Sequence, residues 1–157
     1  MLSFDEAKTR IFNIPLELTK EHRPILDCLG HHLAADVYSP NDIPMWSNSA
    51  MDGYACRFSD LSSIPVQLAV QFEIAAGHPI NVEIQSGECA RIMTGAPLPP
   101  GSDTVVIQEN TERISTNVVQ INKLPKEKAN VRFAGEEFAA GSILLNKGQR
   151  LGPSHLA

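Results

Sequence analysis

Apolar positions recur with two different periods along this chain, and the change of period divides it. Near the start Phe4, Ala7 and Ile11 recur at helical spacing, with Ser3 placed as an N-cap and Glu6 three residues on, the arrangement of a capping box. The pattern predicts a helix that ends near Asn13, ahead of Pro15. Between Arg23 and Val37 the apolar positions Ile25, Leu26, Cys28, Leu29, Leu33, Ala34, Ala35 and Val37 are interrupted by Gly30. That stretch reads as a short strand, a short helical turn and another short strand. Ser39–Pro44 is then a connector, because Pro40 and Pro44 fix their own φ and push the residues before them out of the helical region.

From about Ser47 the period becomes two. Val66–Val70, Val82–Ile84, Cys89–Met93, Thr104–Ile107 and Val118–Ile121 each read as a strand. The turn formers Gly77-His78-Pro79, Gln85-Ser86-Gly87 and Pro99-Pro100-Gly101 separate them, at the spacing of a small barrel or sandwich. Lys123–Lys128 is a charged linker, Ile143–Leu145 a further strand and Gly148–Leu151 a turn. Pro153 stands where a helix can begin, with Leu156 and Ala157 as its first apolar positions, and a helix that short does not persist alone. The expectation is therefore of a chain that stops inside a longer protein. The fold class is α+β, mainly β: an N-terminal helix and the first part of a β-rich domain in 1–46, an inserted β-barrel-like or sandwich-like lobe in 47–122, and a return segment of the β-rich domain in 123–157.

Composition narrows the classes of function. With 157 residues, 43% hydrophobic and 20% charged, the chain suffices for one ordinary core or two small lobes, and is short for an enzyme that must enclose a large cofactor. No run of eighteen apolar residues occurs, and Asp5 and Glu6 stand where a signal peptide needs basic residues, so a cytoplasmic protein is expected. Thirteen Lys plus Arg against eighteen Asp plus Glu give a net charge of -5, and the scattered basic residues argue against nucleic-acid binding. Cys28, Cys56 and Cys89 form no CxxC pair and read as buried reduced thiols. The adjacent His31 and His32 would point apart on either a helix or a strand, which argues against a shared metal ion.

Two segments carry the candidate chemistry: Ser49-Ala50-Met51-Asp52-Gly53-Tyr54-Ala55 and Arg91-Ile92-Met93-Thr94-Gly95-Ala96-Pro97. Each sets a polar side chain beside a glycine among small or apolar residues, the way a tight turn presents chemistry. The Asp52 carboxylate can coordinate Mg²⁺ or hold a ligand hydroxyl or amine, although an aspartate before glycine also caps a turn through its own backbone. Thr94 is placed at a strand end before a rigid loop. Arg132 offers a fork of donors suited to phosphate or an oxyanion, beside the carboxylates Glu136 and Glu137, with which it can equally form a solvated surface pair. No P-loop, GxGxxG, GxSxG or HExxH motif is present.

Taken together and in order, Asp36–Pro44, Asn48–Ala55, Arg91–Pro97, Asp103–Glu109 and Asn130–Arg132 with Gly135-Glu136 resemble the molybdopterin molybdenumtransferase family, which includes the C-terminal part of gephyrin. The resemblance implies the N-terminal part of an elongated, multidomain homodimer, with an α/β pocket domain beyond it and an active cleft shared between subunits. It implies Mg²⁺-dependent insertion of molybdate into adenylyl-molybdopterin with release of AMP. By the same resemblance Asp52 and Thr94 would be catalytic, Asp52 would position Mg²⁺, and Ser49, Arg132 and Glu137 would bind substrate. Glu137 departs from the family pattern, which has aspartate there; the extra methylene moves the carboxylate by about 1 Å. Trp46 is expected to be a packing residue. The alternative is a non-catalytic β-rich module for binding or dimerisation.

Overall fold

The computed structural model describes residues 2–15, 18–78 and 81–156. Two compact units divide the chain, one formed by Met1–Val37 with Leu145–Ala157, the other by Tyr38–Leu144. Its elements are α1 (Phe4–Phe12), β1 (Val37–Tyr38), β2 (Asn48–Ser49), β3 (Gly53–Cys56), β4 (Val66–Ile74), β5 (Glu88–Ile92), β6 (Thr104–Ile107), β7 (Thr111–Ser115), β8 (Val118–Ile121), β9 (Val131–Arg132) and β10 (Ile143–Leu145). The chain passes from one unit to the other within β1 and returns within β10. The fold is α+β and mainly β.

In the first unit the predicted capping box forms. Ser3 Oγ accepts from the Glu6 amide at 3.3 Å, and the Glu6 carboxylate accepts from the Ser3 amide at 2.8 Å, satisfying two of the donors a helix start leaves open. Asn13 caps the far end, as the pattern predicts, and no residue of α1 is buried. The stretch after Arg23 differs from expectation. Ile25–Cys28 is a 3₁₀ turn rather than a strand, and its large residues Ile25 and Leu26 are exposed. Residues 30–33 run antiparallel to 148–151: Gly30 donates to the Leu151 carbonyl, Leu151 to His31, Leu33 to Gln149 and Gly148 to Leu33. Leu151 is buried there.

The second unit holds a six-stranded sheet in the order β6-β3-β5-β4-β8-β7. All its neighbours are antiparallel except β4 and β5, which run parallel and are joined by a crossover longer than a hairpin allows. The barrel-like lobe does not close: β6 and β7 are its edges. Both faces of β3, β5 and β6 are packed, because their successive residues feed different clusters. Tyr54, Cys56, Cys89, Val106 and Val119 enter one, and Ala55, Ala90, Ile92 and Val105 the other. This is why β3 and β6 read as continuous apolar runs rather than alternating ones.

Four predicted strands of the lobe are present: β4, β5, β6 and β8. The fifth is not. Residues 82–84 form no regular strand; Ile84 is fully buried, and its amide donates to Pro100 as a loop that packs on the sheet. Its alternation recorded burial, not pairing. The turn predicted at 77–79 is described only as far as His78, with Pro79 outside the described residues, as is Ala157 at the predicted C-terminal helix, where Pro153–His155 form a 3₁₀ turn. Cys56 and Cys89 are buried and sit opposite each other on β3 and β5, while Cys28 is half-buried. Burial is the first cause raising both buried thiols, Cys89 to about 12.

Candidate functional site

Asp52 lies in the tight connection between β2 and β3, and the reason for Gly53 beside it is steric. A Cβ at Gly53 would stand 2.1 Å from the Val106 carbonyl oxygen, so only glycine lets β3 lie between β5 and β6 at this point. The close approach is therefore to a neighbouring strand rather than to a ligand. Ser49 shapes the same connection. It is buried, and its hydroxyl donates to the Met51 carbonyl at 2.5 Å and accepts from the Met51 amide at 3.3 Å. The hydroxyl is thereby occupied within the turn, a setting unlike that of the other candidate residues.

Thr94 reaches Asp52 across 42 residues of sequence. Asp52 Oδ1 accepts from the Thr94 amide at 2.8 Å and from Thr94 Oγ1 at 2.7 Å. These two bonds, the backbone one first, hold the Asp52 carboxyl below the usual aspartate range, and the nearby Arg91 guanidinium adds to the effect. Thr94 is presented this way because Gly95 follows in the left-handed region, at φ 79°, and turns the chain back. The Gly95 amide donates to the Ser49 carbonyl and the Ser49 amide to the Ala96 carbonyl, which locks the two motifs side by side. Among the described residues both bonds to Asp52 fall on Oδ1, leaving Oδ2 directed to no protein partner.

The third segment joins through main chain. Asn48 pairs with Arg132 and Ser49 with Val131 between β2 and β9, and the Ala50 amide donates to the Asn130 carbonyl. Arg132 forms ion pairs with Glu136, at 2.8 Å, and with Glu137. The Glu136 and Glu137 hydrogen bonds raise Arg132, and Arg132 lowers Glu136. Among the described residues no hydrogen bond or ion pair joins this cluster to Asp52 or Thr94; what links them is the β2–β9 pairing.

Met51, next to Asp52, and Phe133, next to Arg132, are exposed apolar side chains. Trp46 is 52% exposed rather than packed, which corrects its expected role. Sequence reasoning also missed Arg91 and Gln108 as parts of this arrangement. Arg91 Nη1 donates to the Gly53 carbonyl at 3.1 Å and Nη2 to Gln108 Oε1 at 2.8 Å, while the Gln108 amide donates to the Asp52 carbonyl. The signal was faint: Arg91 was an ordinary polar residue in an alternating strand.

Comparison with known proteins identifies the family. The family description MoeA N-terminal region (domain I and II) matches residues 2–157. A protein of Haemophilus influenzae named molybdopterin molybdenumtransferase is 35% identical over 99% of this chain and 39% of its own length. One of the same name from Nostoc is 39% identical over 100% of this chain and 38% of its own length. The chain thus spans about two fifths of these relatives. Among solved structures, the molybdopterin biosynthesis moeA protein from Pyrococcus horikoshii OT3 superposes with a TM-score of 0.79 at 30% identity, over 87% of this chain and 37% of that one. The chain belongs to the MoeA N-terminal family, whose domains I and II it matches.

Proposed function

We propose that this chain acts in molybdenum cofactor biosynthesis, supplying one wall of the site at which molybdate is inserted into adenylyl-molybdopterin and AMP is released. The observation that carries the reading is the joining of Asp52 to Thr94, two residues of separate motifs, by two short hydrogen bonds on one carboxylate oxygen. Relatives of this chain bear the name of that activity.

In this reading Thr94 fixes the Asp52 carboxylate so that Oδ2 faces the ligand. A carboxylate ionised well into the acid range suits Mg²⁺, which binds through one or two carboxylates and completes its shell with water and substrate phosphates. Among the described residues no group of three or more His, Cys, Asp and Glu comes together, so this chain would supply only part of such a site, and Asp52 is the ligand assigned to it. Bound there, Mg²⁺ would neutralise charge on the substrate's phosphates. Arg132 would hold an anionic group by exchanging its contacts with Glu136 and Glu137, and Glu137 would set how far the guanidinium reaches. Ser49 contributes by holding the turn. The lobe of 47–122 faces an α/β domain of a second subunit in a cytoplasmic homodimer.

A chimaera tests the reading: this chain replaces the matched segment of the Haemophilus influenzae relative, and cofactor formation is measured. The expected result is activity in the chimaera and its loss on Asp52→Asn with the fold retained. Full activity of the Asp52→Asn chimaera would remove Asp52 from the reaction. Calorimetric titration of the chain with adenylyl-molybdopterin and Mg²⁺ asks whether this wall binds unaided; a Kd weaker than about 1 mM, about 4 kcal/mol, would mean that this wall alone is not a site.

A further inference from the structure

A cavity of about 190 Å³ in the sheet unit is lined by neither Asp52 nor Thr94. It opens where the sheet is irregular on two sides. Between Val70 and Glu73, β4 carries one residue more than β5 opposite it, and between Arg113 and Ser115, β7 carries one more than β8. Bulges of this kind re-aim side chains and bend strands, and here both bend around the same space. The Val70 amide donates to the Asn117 carbonyl, tying the first bulge to the turn beyond the second.

Two guanidiniums line the cavity. Arg91 lies over the Tyr54 ring, 5.2 Å from its centroid, with one arm on the Gly53 carbonyl and the other on Gln108. Arg113 is held by the carbonyls of Ser115, at 3.3 Å, and Thr116, at 3.2 Å. Every one of these partners is neutral. Among the described residues neither arginine is ion-paired, whereas Arg23 and Arg132 both are. Carbonyl and amide contacts orient a guanidinium without cancelling its charge, and each arginine keeps further N–H donors for another partner. Glu73 is the one carboxylate in the lining, so the cavity carries a positive excess in a protein whose net charge is -5.

We propose that this cavity is a binding site for a small phosphate-type oxyanion, either inorganic phosphate or the terminal phosphate of a small ester. The planar fork matches phosphate geometry, and a volume of about 190 Å³ admits a phosphate with a small substituent. The cavity shares Arg91 with the surroundings of Asp52, but its test turns on Arg113 and Glu73 and does not depend on the transferase reading.

The test is amide NMR of the chain titrated with inorganic phosphate, pyrophosphate and methyl phosphate, with chloride at matched ionic strength as control. Saturable shifts are expected at Glu73, Arg91, Thr116 and Asn117, with a Kd of about 1 mM or below. Arg113→Gln, in an exposed hairpin, should weaken binding by about tenfold, and Glu73→Gln, which removes the one carboxylate in the lining, should tighten it. Preference for methyl phosphate over inorganic phosphate would assign the site to an ester, and the reverse to the free ion. Shifts that do not saturate, that spread over the lysines, or that survive Arg113→Gln and Glu73→Gln unchanged would overturn the proposal.

Discussion

The two charged parts of the candidate site are held in unlike ways. Asp52 is oriented by another segment's backbone and hydroxyl, on a turn wedged between β2 and β3, with β3 buried on both faces. Arg132 is oriented by two exposed carboxylates four and five residues away in its own segment. The first arrangement is a consequence of the fold, because its two donors come from a segment 42 residues away. The second consists of solvated ion pairs, which salt screens and a competing anion can displace. A rigid carboxylate beside an exchangeable cation is a suitable pairing for capturing an anionic ligand.

The comparison breaks most severely at Gly53. Gly53→Ala would drive a Cβ against the Val106 carbonyl oxygen, backbone that cannot yield without separating β3 from β6. A loss of about 3 kcal/mol is expected in urea unfolding followed by Trp46 fluorescence and far-UV circular dichroism. Ser49→Ala comes next. It removes a buried hydroxyl and leaves the Met51 amide and carbonyl without their partner, so a loss of about 1–3 kcal/mol is expected, together with displaced Thr94 and Gly95 amide resonances.

Titration then sharpens the difference. The Asp52 carboxyl carbon should titrate below the ordinary aspartate value. Because its folded value is depressed, its contribution to stability is fully present above the unfolded carboxyl value of about 3.9, and is lost as pH falls through the lower folded value. Asp52→Asn should abolish that part of the acid dependence, and an unchanged acid profile would mean the Thr94 bonds do not form. The smallest effect belongs to Arg132. Raising salt to about 1 M, where the screening length is about 3 Å, should loosen its guanidinium, seen as faster Nε–H exchange, while the Thr94 amide stays protected. Equal loosening of both would erase the distinction.

Much of the local structure was legible from the residues. The capping box at Ser3 and Glu6 is a short-range device, complete within four residues, and it forms as read. The strands β4, β5, β6 and β8 follow from apolar patterning. What failed did so for identifiable reasons. Ile84 alternates with its neighbours because it is buried, yet Pro100 takes its amide and no strand forms. Gly53 looked like a turn residue, whereas β3 begins at it, since the demand on it comes from Val106, more than fifty residues away. The 3₁₀ turn at Ile25–Cys28 stands where the apolar pattern predicts a strand, and among the described residues no strand pairs with it.

The sequence by itself determined the kind of residues available and where the chain bends: a carboxylate before a glycine, a threonine before another, and an arginine followed by two glutamates. Their ordered company also marked the family. Tertiary structure alone decided that Thr94 meets Asp52 rather than solvent, that Trp46 stays exposed, and that Arg91 and Arg113 share a cavity. The physical reason is that hydrogen-bond partners, burial and charge balance at these positions come from segments distant in sequence. Periodicity within one segment carries no information about which of the others will lie against it.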